Sequence, residues 1–240
     1  MIPKTIHYCW FGESQKPKIV QRCINSWENV MPDYKIKCWD NDSFDFDSIP
    51  FVKDAIQAKK YAFAADYVRL YALYTEGGLY FDTDVLVKES FDFFLNNDFF
   101  CGTEAYMAGD TPRYRMEAAI MGSQQGHPFI KECMSFYHKA TFDKNRLSSD
   151  FIIQTIISRY GEKYGYVYEN KKQSLNENII VYPTSVFTNT LNPDNTNSDK
   201  IYAVHQNLGS WIDYSNRGWL FRFCKKHNIM NFYHWIEKSK

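Results

Sequence analysis

Paired cysteines, excess charge, glycine-rich loops and long apolar runs are all missing from this chain, and each absence closes off a class of function. The six cysteines (Cys9, Cys23, Cys38, Cys101, Cys133, Cys224) form no C-x-x-C pair, and a reducing, cytoplasmic compartment is the default expectation. Lys+Arg 28 and Asp+Glu 28 cancel, so no general field attracts nucleic acid, and that partner is not expected. No apolar run reaches the ~20 residues of a membrane-spanning helix. The start, MIPKTIHYCWFG, meets an aromatic and Gly12 before a signal-peptide core could form. No Pro/Gly/Ser-rich stretch divides the 240 residues, so a single domain, 1–240, is expected.

What is plentiful is aromatic surface, 18% of residues, which serves a core and can also supply flat faces for a base or a sugar ring. Thr5 to Trp10 reads as a strand closed by Gly12, Lys18 to Val30 as an amphipathic helix, and Tyr34 to Trp39 as a second strand. This βαβ opening predicts a parallel sheet with the strand C-termini along one edge. Lys60 to Thr75 then reads as a helix apolar nearly all round, hence buried, and Gly77-Gly78 stops it. Its polar exceptions, Asp66 and Arg69, fall three apart on one face.

Leu79-Tyr80-Phe81 follows as a strand, and Asp82-Thr83-Asp84 stands at its C-terminal end, the edge where open α/β sheets bind ligands. Residues i and i+2 of a strand point the same way, so Asp82 and Asp84 are expected to face one side and repel unless a cation lies between them. Mg²⁺ or Mn²⁺, which take oxygen ligands and keep positions open for phosphate oxygens, fit that need. Two further Asp-x-Asp runs, Asp40-Asn41-Asp42 and Asp45-Phe46-Asp47, lie in a polar stretch and read as solvated turns. Asp40, at a strand end, is placed to reach a ribose hydroxyl. Further on, strands are expected at Asp98 to Gly102, Ala118 to Met121, Ile179 to Tyr182 and Ile201 to His205. Helices are expected from GHPF (Gly126 to Phe129) and over Phe151 to Tyr160, with an exposed loop over Leu191 to Lys200.

The run ADYVRLYALYTEGGLYFDTDV, Ala65 to Val85, resembles the signature of the sugar-nucleotide glycosyltransferases of family 32, which include yeast initiating mannosyltransferases and many bacterial capsule and lipopolysaccharide enzymes. IPKTIHYCWFG at the start and VHQNLGSW, Val204 to Trp211, are similar to that family's first strand and closing segment, and GSQQGHPF, Gly122 to Phe129, supports membership. The resemblance implies an α/β GT-A type, Rossmann-like fold, here with a C-terminal helical extension, and transfer with retention from a nucleotide-diphosphate sugar, UDP-sugar favoured and GDP-sugar second. The acceptor it implies is an oligosaccharide or lipid-linked glycan. Residue by residue, it implies that Asp66 and Arg69 contact the donor sugar, as in the related clostridial toxin glucosyltransferases. It makes Asp84 the direct metal ligand, with Asp82 near the ribose or the metal's water shell. His205 becomes a metal or phosphate contact, with a structural strand-end His as the alternative. Ser210 and Trp211 close over the diphosphate, and Trp10 or Tyr8 stacks on the base, core packing being the rival for the aromatics. One departure stands out, since the second of two adjacent His common in the closing segment is here Gln206. Glu104, Asp110 and Glu117 fall where the acceptor should bind, with no motif to fix their roles.

Three other readings compete: a sugar-nucleotide nucleotidyltransferase, disfavoured because FGESQKPK holds only Gly12; a non-catalytic carbohydrate-binding module, which has no need for four converging charged residues; and a toxin-like transferase acting on protein. The last stretch, Arg217 to Lys240, carries six basic residues against Glu237 among its aromatics. It reads either as a closing helix or as a peripheral contact with the inner face of a membrane.

Overall fold

The chain begins with β1 (Thr5–Cys9), α1 (Lys18–Val30) and β2 (Lys35–Trp39), and the two strands pair in parallel from Thr5↔Lys35 to Cys9↔Trp39. In this computed structural model the described residues are 1–12, 14–109, 111–143, 151–189 and 200–208. The expectations for Asp110, Ser210, Trp211, most of the 191–200 loop and the basic C-terminal stretch lie outside them.

A short helix not anticipated from the sequence, α2 (Pro50–Gln57), comes next, with Pro50 in its first turn and Phe51, Val52 and Ala55 buried. The buried helix α3 (Tyr61–Glu76) follows and ends at Gly77, whose φ of +67° suits a residue without a side chain. Gly78, φ +108°, opens β3 (Gly78–Phe81). A Cβ there would sit 2.5 Å from the Thr5 carbonyl oxygen, so only glycine lets β3 lie against β1. β3 pairs in parallel with β1 on the side opposite β2. The strand order therefore reverses direction at β1, which makes the C-terminal ends of β1 and β3 a topological switch point.

The remaining elements are β4 (Val85–Val87), β5 (Phe99–Ala108), β6 (Thr111–Ser123), α4 (Pro128–Lys139), α5 (Ile153–Glu162), β7 (Gln173–Ser174), β8 (Ile179–Tyr182), β9 (Phe187–Asn189) and β10 (Ala203–His205). Seven strands form one sheet in the order β2-β1-β3-β6-β5-β8-β7, and β4, β10 and β9 form a second, small one. The large sheet is mixed rather than wholly parallel, because β6 runs antiparallel to both β3 and β5. One face packs α2 to α5 through Tyr67, Leu70, Tyr80, Phe129, Ile156 and their neighbours. The other packs α1 and an aromatic layer of Phe81, Phe91, Phe94, Phe100 and Phe187. Most of the abundant aromatics within the described residues are accounted for by these two cores.

The β5–β6 hairpin is longer than the strands expected at Asp98 to Gly102 and Ala118 to Met121. Charged residues such as Glu104, Arg113 and Arg115 break the apolar alternation there and hide the strands from a periodicity reading. Its pairing is interrupted: from Cys101↔Met121 to Thr103↔Met116 the chain advances two steps on β5 but five on β6. The extra length of β6, which includes Glu117, Ala118 and Ala119, is thereby displaced from regular pairing with β5. No described helix is long and apolar enough to cross a membrane.

Candidate active site

The Asp82-Thr83-Asp84 segment lies at the switch point, just past β3. It is a turn rather than a strand, closed by the Val85 N–H donating to the Asp82 carbonyl at 3.0 Å. The strand alternation that would have aimed both carboxylates one way does not apply, and each meets a basic side chain of its own.

Asp82 faces the helical side of the sheet. Its Oδ1 accepts from the Tyr80 hydroxyl at 3.2 Å and lies 3.2 Å from an Arg69 guanidinium nitrogen. Arg69 is buried in α3, stacks on the Tyr80 ring at 4.7 Å, donates to the displaced Ala118 carbonyl at 2.8 Å and donates to Asp66 Oδ1 at 2.8 Å. The i,i+3 pair noted in the sequence thus forms, and Asp82 extends it to three buried or half-buried charges. Burial pushes the Asp66 carboxyl up to about 7 against the pull of Arg69. Burial alone would lower Arg69, but Asp82, Tyr80 and Asp66 carry it above its ordinary value.

Asp84 faces the small sheet. The register of β10 against β4 sets His205 opposite Val85, and the Gln206 N–H donates to the Asp84 carbonyl. Asp84 Oδ2 accepts from the Leu208 N–H at 2.8 Å, while Oδ1 lies 3.3 Å from His205 Nε2. The other ring nitrogen, Nδ1, lies 3.1 Å from Glu117 Oε1. Burial acts to raise Asp84, yet His205 and the Leu208 N–H hold it below the usual carboxylate range. For His205, burial acts downward and is outweighed by Asp84 and Glu117, which raise it well above an ordinary imidazole. Glu117 is pushed up to about 7 by burial, with His205 opposing.

One ligand atom each from Asp82, Asp84 and His205 lies within 4.8 Å of the others. Two carboxylate oxygens and an imidazole nitrogen, with Asp84 already anchored by a backbone N–H, fit a hard divalent cation.

Tyr8 and Trp10 stand two residues apart near the end of β1. Tyr8 is buried edge-on against Trp27 in the α1 core, whereas Trp10 is only partly buried and donates its ring N–H to the Ser14 carbonyl. Lys16 lies 5.7 Å from each ring. Asp40 is exposed and accepts from the N–H groups of Asp42 and Ser43, a solvated turn as expected, whereas Asp45 accepts from the Asp47 N–H and caps a short 3-10 helix, Phe46–Ser48. Sequence reasoning set Glu117 where the acceptor should bind without fixing its role, and the structure sets it against His205. The signal for it was a lone acid at the head of the apolar run Ala118 to Met121.

The switch-point cluster and the mixed sheet define the chain as having the GT-A glycosyltransferase fold. The solved structure of PaToxG glycosyltransferase superposes on it with TM-score 0.50 at 15% identity, covering 68% of this chain and 69% of that one, which bears on fold alone. The chain belongs to the capsular polysaccharide synthesis protein family, whose profile matches residues 1–213. This agrees with the glycosyltransferase type that the sequence motifs resemble. An uncharacterised glycosyltransferase of Acanthamoeba polyphaga mimivirus is 25% identical over 88% of this chain and 84% of its own length. Inositol phosphoceramide mannosyltransferase 3 of Schizosaccharomyces pombe is 29% identical over 54% of this chain and 35% of its own length. An uncharacterised Arabidopsis thaliana protein is 29% identical over 51% of this chain, and the chain spans only 17% of it.

Proposed function

We propose that the protein is a metal-dependent glycosyltransferase that moves a sugar with retention from a nucleotide-diphosphate donor, a UDP-sugar first and a GDP-sugar second, to a glycan acceptor in surface polysaccharide synthesis. The observation that carries this reading is the convergence of Asp82, Asp84 and His205 ligand atoms within 4.8 Å at the C-terminal end of β3. Family membership and the mannosyltransferase relative support the sugar chemistry. Mn²⁺ or Mg²⁺ held by Asp84, His205 and Asp82 would supply neutralising charge for a diphosphate leaving group.

The chain's own residues do the rest. Arg69 holds Asp82 from the helix side and keeps it aimed at the cluster, and Glu117 does the same for His205. The Asp66–Arg69 pair is the proposed wall for the donor sugar, with Trp10 the more open of the two aromatics proposed for the base. Of the acids flanking the site, Glu117 is engaged with His205 and Glu104 with Arg115 at 2.7 Å. That pairing leaves neither acid free to act as the base on the acceptor hydroxyl that an inverting enzyme would need, which supports retention. A lipid-linked glycan as acceptor, and with it contact of the Arg217 to Lys240 stretch with a membrane face, belongs to the same proposal.

The test is a panel of UDP-, GDP- and dTDP-sugars incubated with the protein with and without Mn²⁺, scored for nucleoside diphosphate release. Metal-dependent release from one donor class is expected. Equal release in excess chelator contradicts the metal-dependent reading.

A further inference from the structure

Glu117 is 1% exposed and carries a carboxylate into the interior, where its one hydrogen-bond partner among the described residues is His205. Oε1 lies 3.1 Å from His205 Nδ1, and the opposite ring nitrogen, Nε2, lies 3.3 Å from Asp84 Oδ1. Glu117 Oε2 is buried and accepts no hydrogen bond among the described residues. It lies against Gly102, where an added Cβ would come within 2.8 Å of it and within 3.2 Å of the Phe187 ring. The carboxylate thus has the Gly102 backbone behind one oxygen and the imidazole in front of the other. A buried acid with one unsatisfied oxygen costs stability, a cost consistent with a role for its position.

What it serves is legible in the ring. An imidazole that donates Nδ1–H to a fixed carboxylate keeps Nε2 for whatever lies on its far side, and there Asp82 and Asp84 stand. We infer that Glu117 is the positioning residue of the site. By accepting Nδ1–H it fixes the tautomer and plane of His205, so that Nε2 is presented to the Asp82–Asp84 cluster as a cation ligand. This rests on the proposed reading of the cluster as a cation site. The displaced stretch of β6 and the side-chain-free Gly102 are the parts of the fold that make room for it.

The experiment uses the full chain carrying nitrogen-15 histidine, titrated with Mg²⁺, and calorimetry with Mn²⁺ alone. In the wild type, His205 Nδ1 stays protonated throughout and the Nε2 resonance moves on adding Mg²⁺. Glu117→Gln, whose amide oxygen can accept the same N–H, keeps that pattern and binds Mn²⁺ within about threefold of wild type, whereas Glu117→Leu loses the pattern and binds about 10–100-fold more weakly. Coordination through Nδ1, wild-type affinity in Glu117→Leu, or equal losses in the two variants overturns the inference. Should Glu117→Leu not fold, the wild-type nitrogen assignments decide. Should the wild type bind neither ion, the cation reading fails by itself. The cation-free spectrum still tests the positioning role: an Nδ1–H signal kept in Glu117→Gln and lost in Glu117→Leu supports it, and one unchanged in Glu117→Leu overturns it.

Discussion

Asp82 and Asp84 are one residue apart, yet the two sides of the molecule treat them differently. On the helix side Asp82 meets Arg69, a cation that cannot lose its proton, already bonded to Asp66 and the Ala118 carbonyl. On the small-sheet side Asp84 meets His205, whose Nε2 can carry either a proton or a metal ion. The contrast teaches a division of labour. Arg69 is a permanent clamp built into the core, and on the proposed cation reading His205 is an exchangeable one, so an entering cation would displace a proton on the small-sheet side only.

The sharpest way to break that contrast is on the exchangeable side. Asp84→Asn keeps the shape but weakens the ligand, and turnover should fall by at least about 100-fold while the unfolding midpoint stays within a few degrees of wild type. Steady-state rates at saturating Mn²⁺ alongside a thermal melt check both halves of the claim. Arg69→Met attacks the permanent side and should register as stability. Leaving Asp66 buried without its partner costs about 3–5 kcal/mol, the half-buried Asp82 adding less, read by urea unfolding. Arg69→Lys should fall between, because an ammonium cannot fork to Asp66, Asp82 and the Ala118 carbonyl at once. If Arg69→Met unfolds like wild type, the clamp is not structural and the contrast fails.

His205→Ala should raise the Mn²⁺ concentration needed for half-maximal activity by at least about tenfold, as loss of a metal contact or its support typically does. Unchanged metal dependence would make His205 a structural histidine after all. Smallest is Gly102→Ala. Its Cβ would crowd Glu117 Oε2, so a loss of about 1–3 kcal/mol from overpacking is expected, together with a few-fold weaker Mn²⁺ binding transmitted through His205.

What the sequence disclosed was what short-range pattern can carry. The Lys18–Val30 helix, the βαβ opening, the helix stop at Gly77-Gly78 and the position of Asp82-Thr83-Asp84 past an apolar strand all follow from period, turn chemistry and strand order. Helix α2 escaped because eight residues give barely two turns of periodicity, though Pro50 ahead of Phe51, Val52 and Ala55 was a usable start signal. The deeper misses concern register. Nothing local says that β6 gains length against β5 and so brings Glu117 to His205, or that β10 lies opposite β4 and so brings His205 to Asp84. Likewise the sequence put Asp66 and Arg69 on one face, and burial argued against an ion pair between them; the structure forms that pair, steadied by Asp82, which arrives only when α3 packs on the face of β3 that carries Tyr80.

The central claim, that the turn between β3 and β4 together with His205 is a divalent-cation site, is tested most directly by calorimetric titration of Mn²⁺ into wild type and Asp84→Asn, each saturated with UDP. The account predicts one Mn²⁺ per chain for the wild type and a loss of that binding in the variant. Equal stoichiometric binding by both proteins, or none by the wild type, would contradict it.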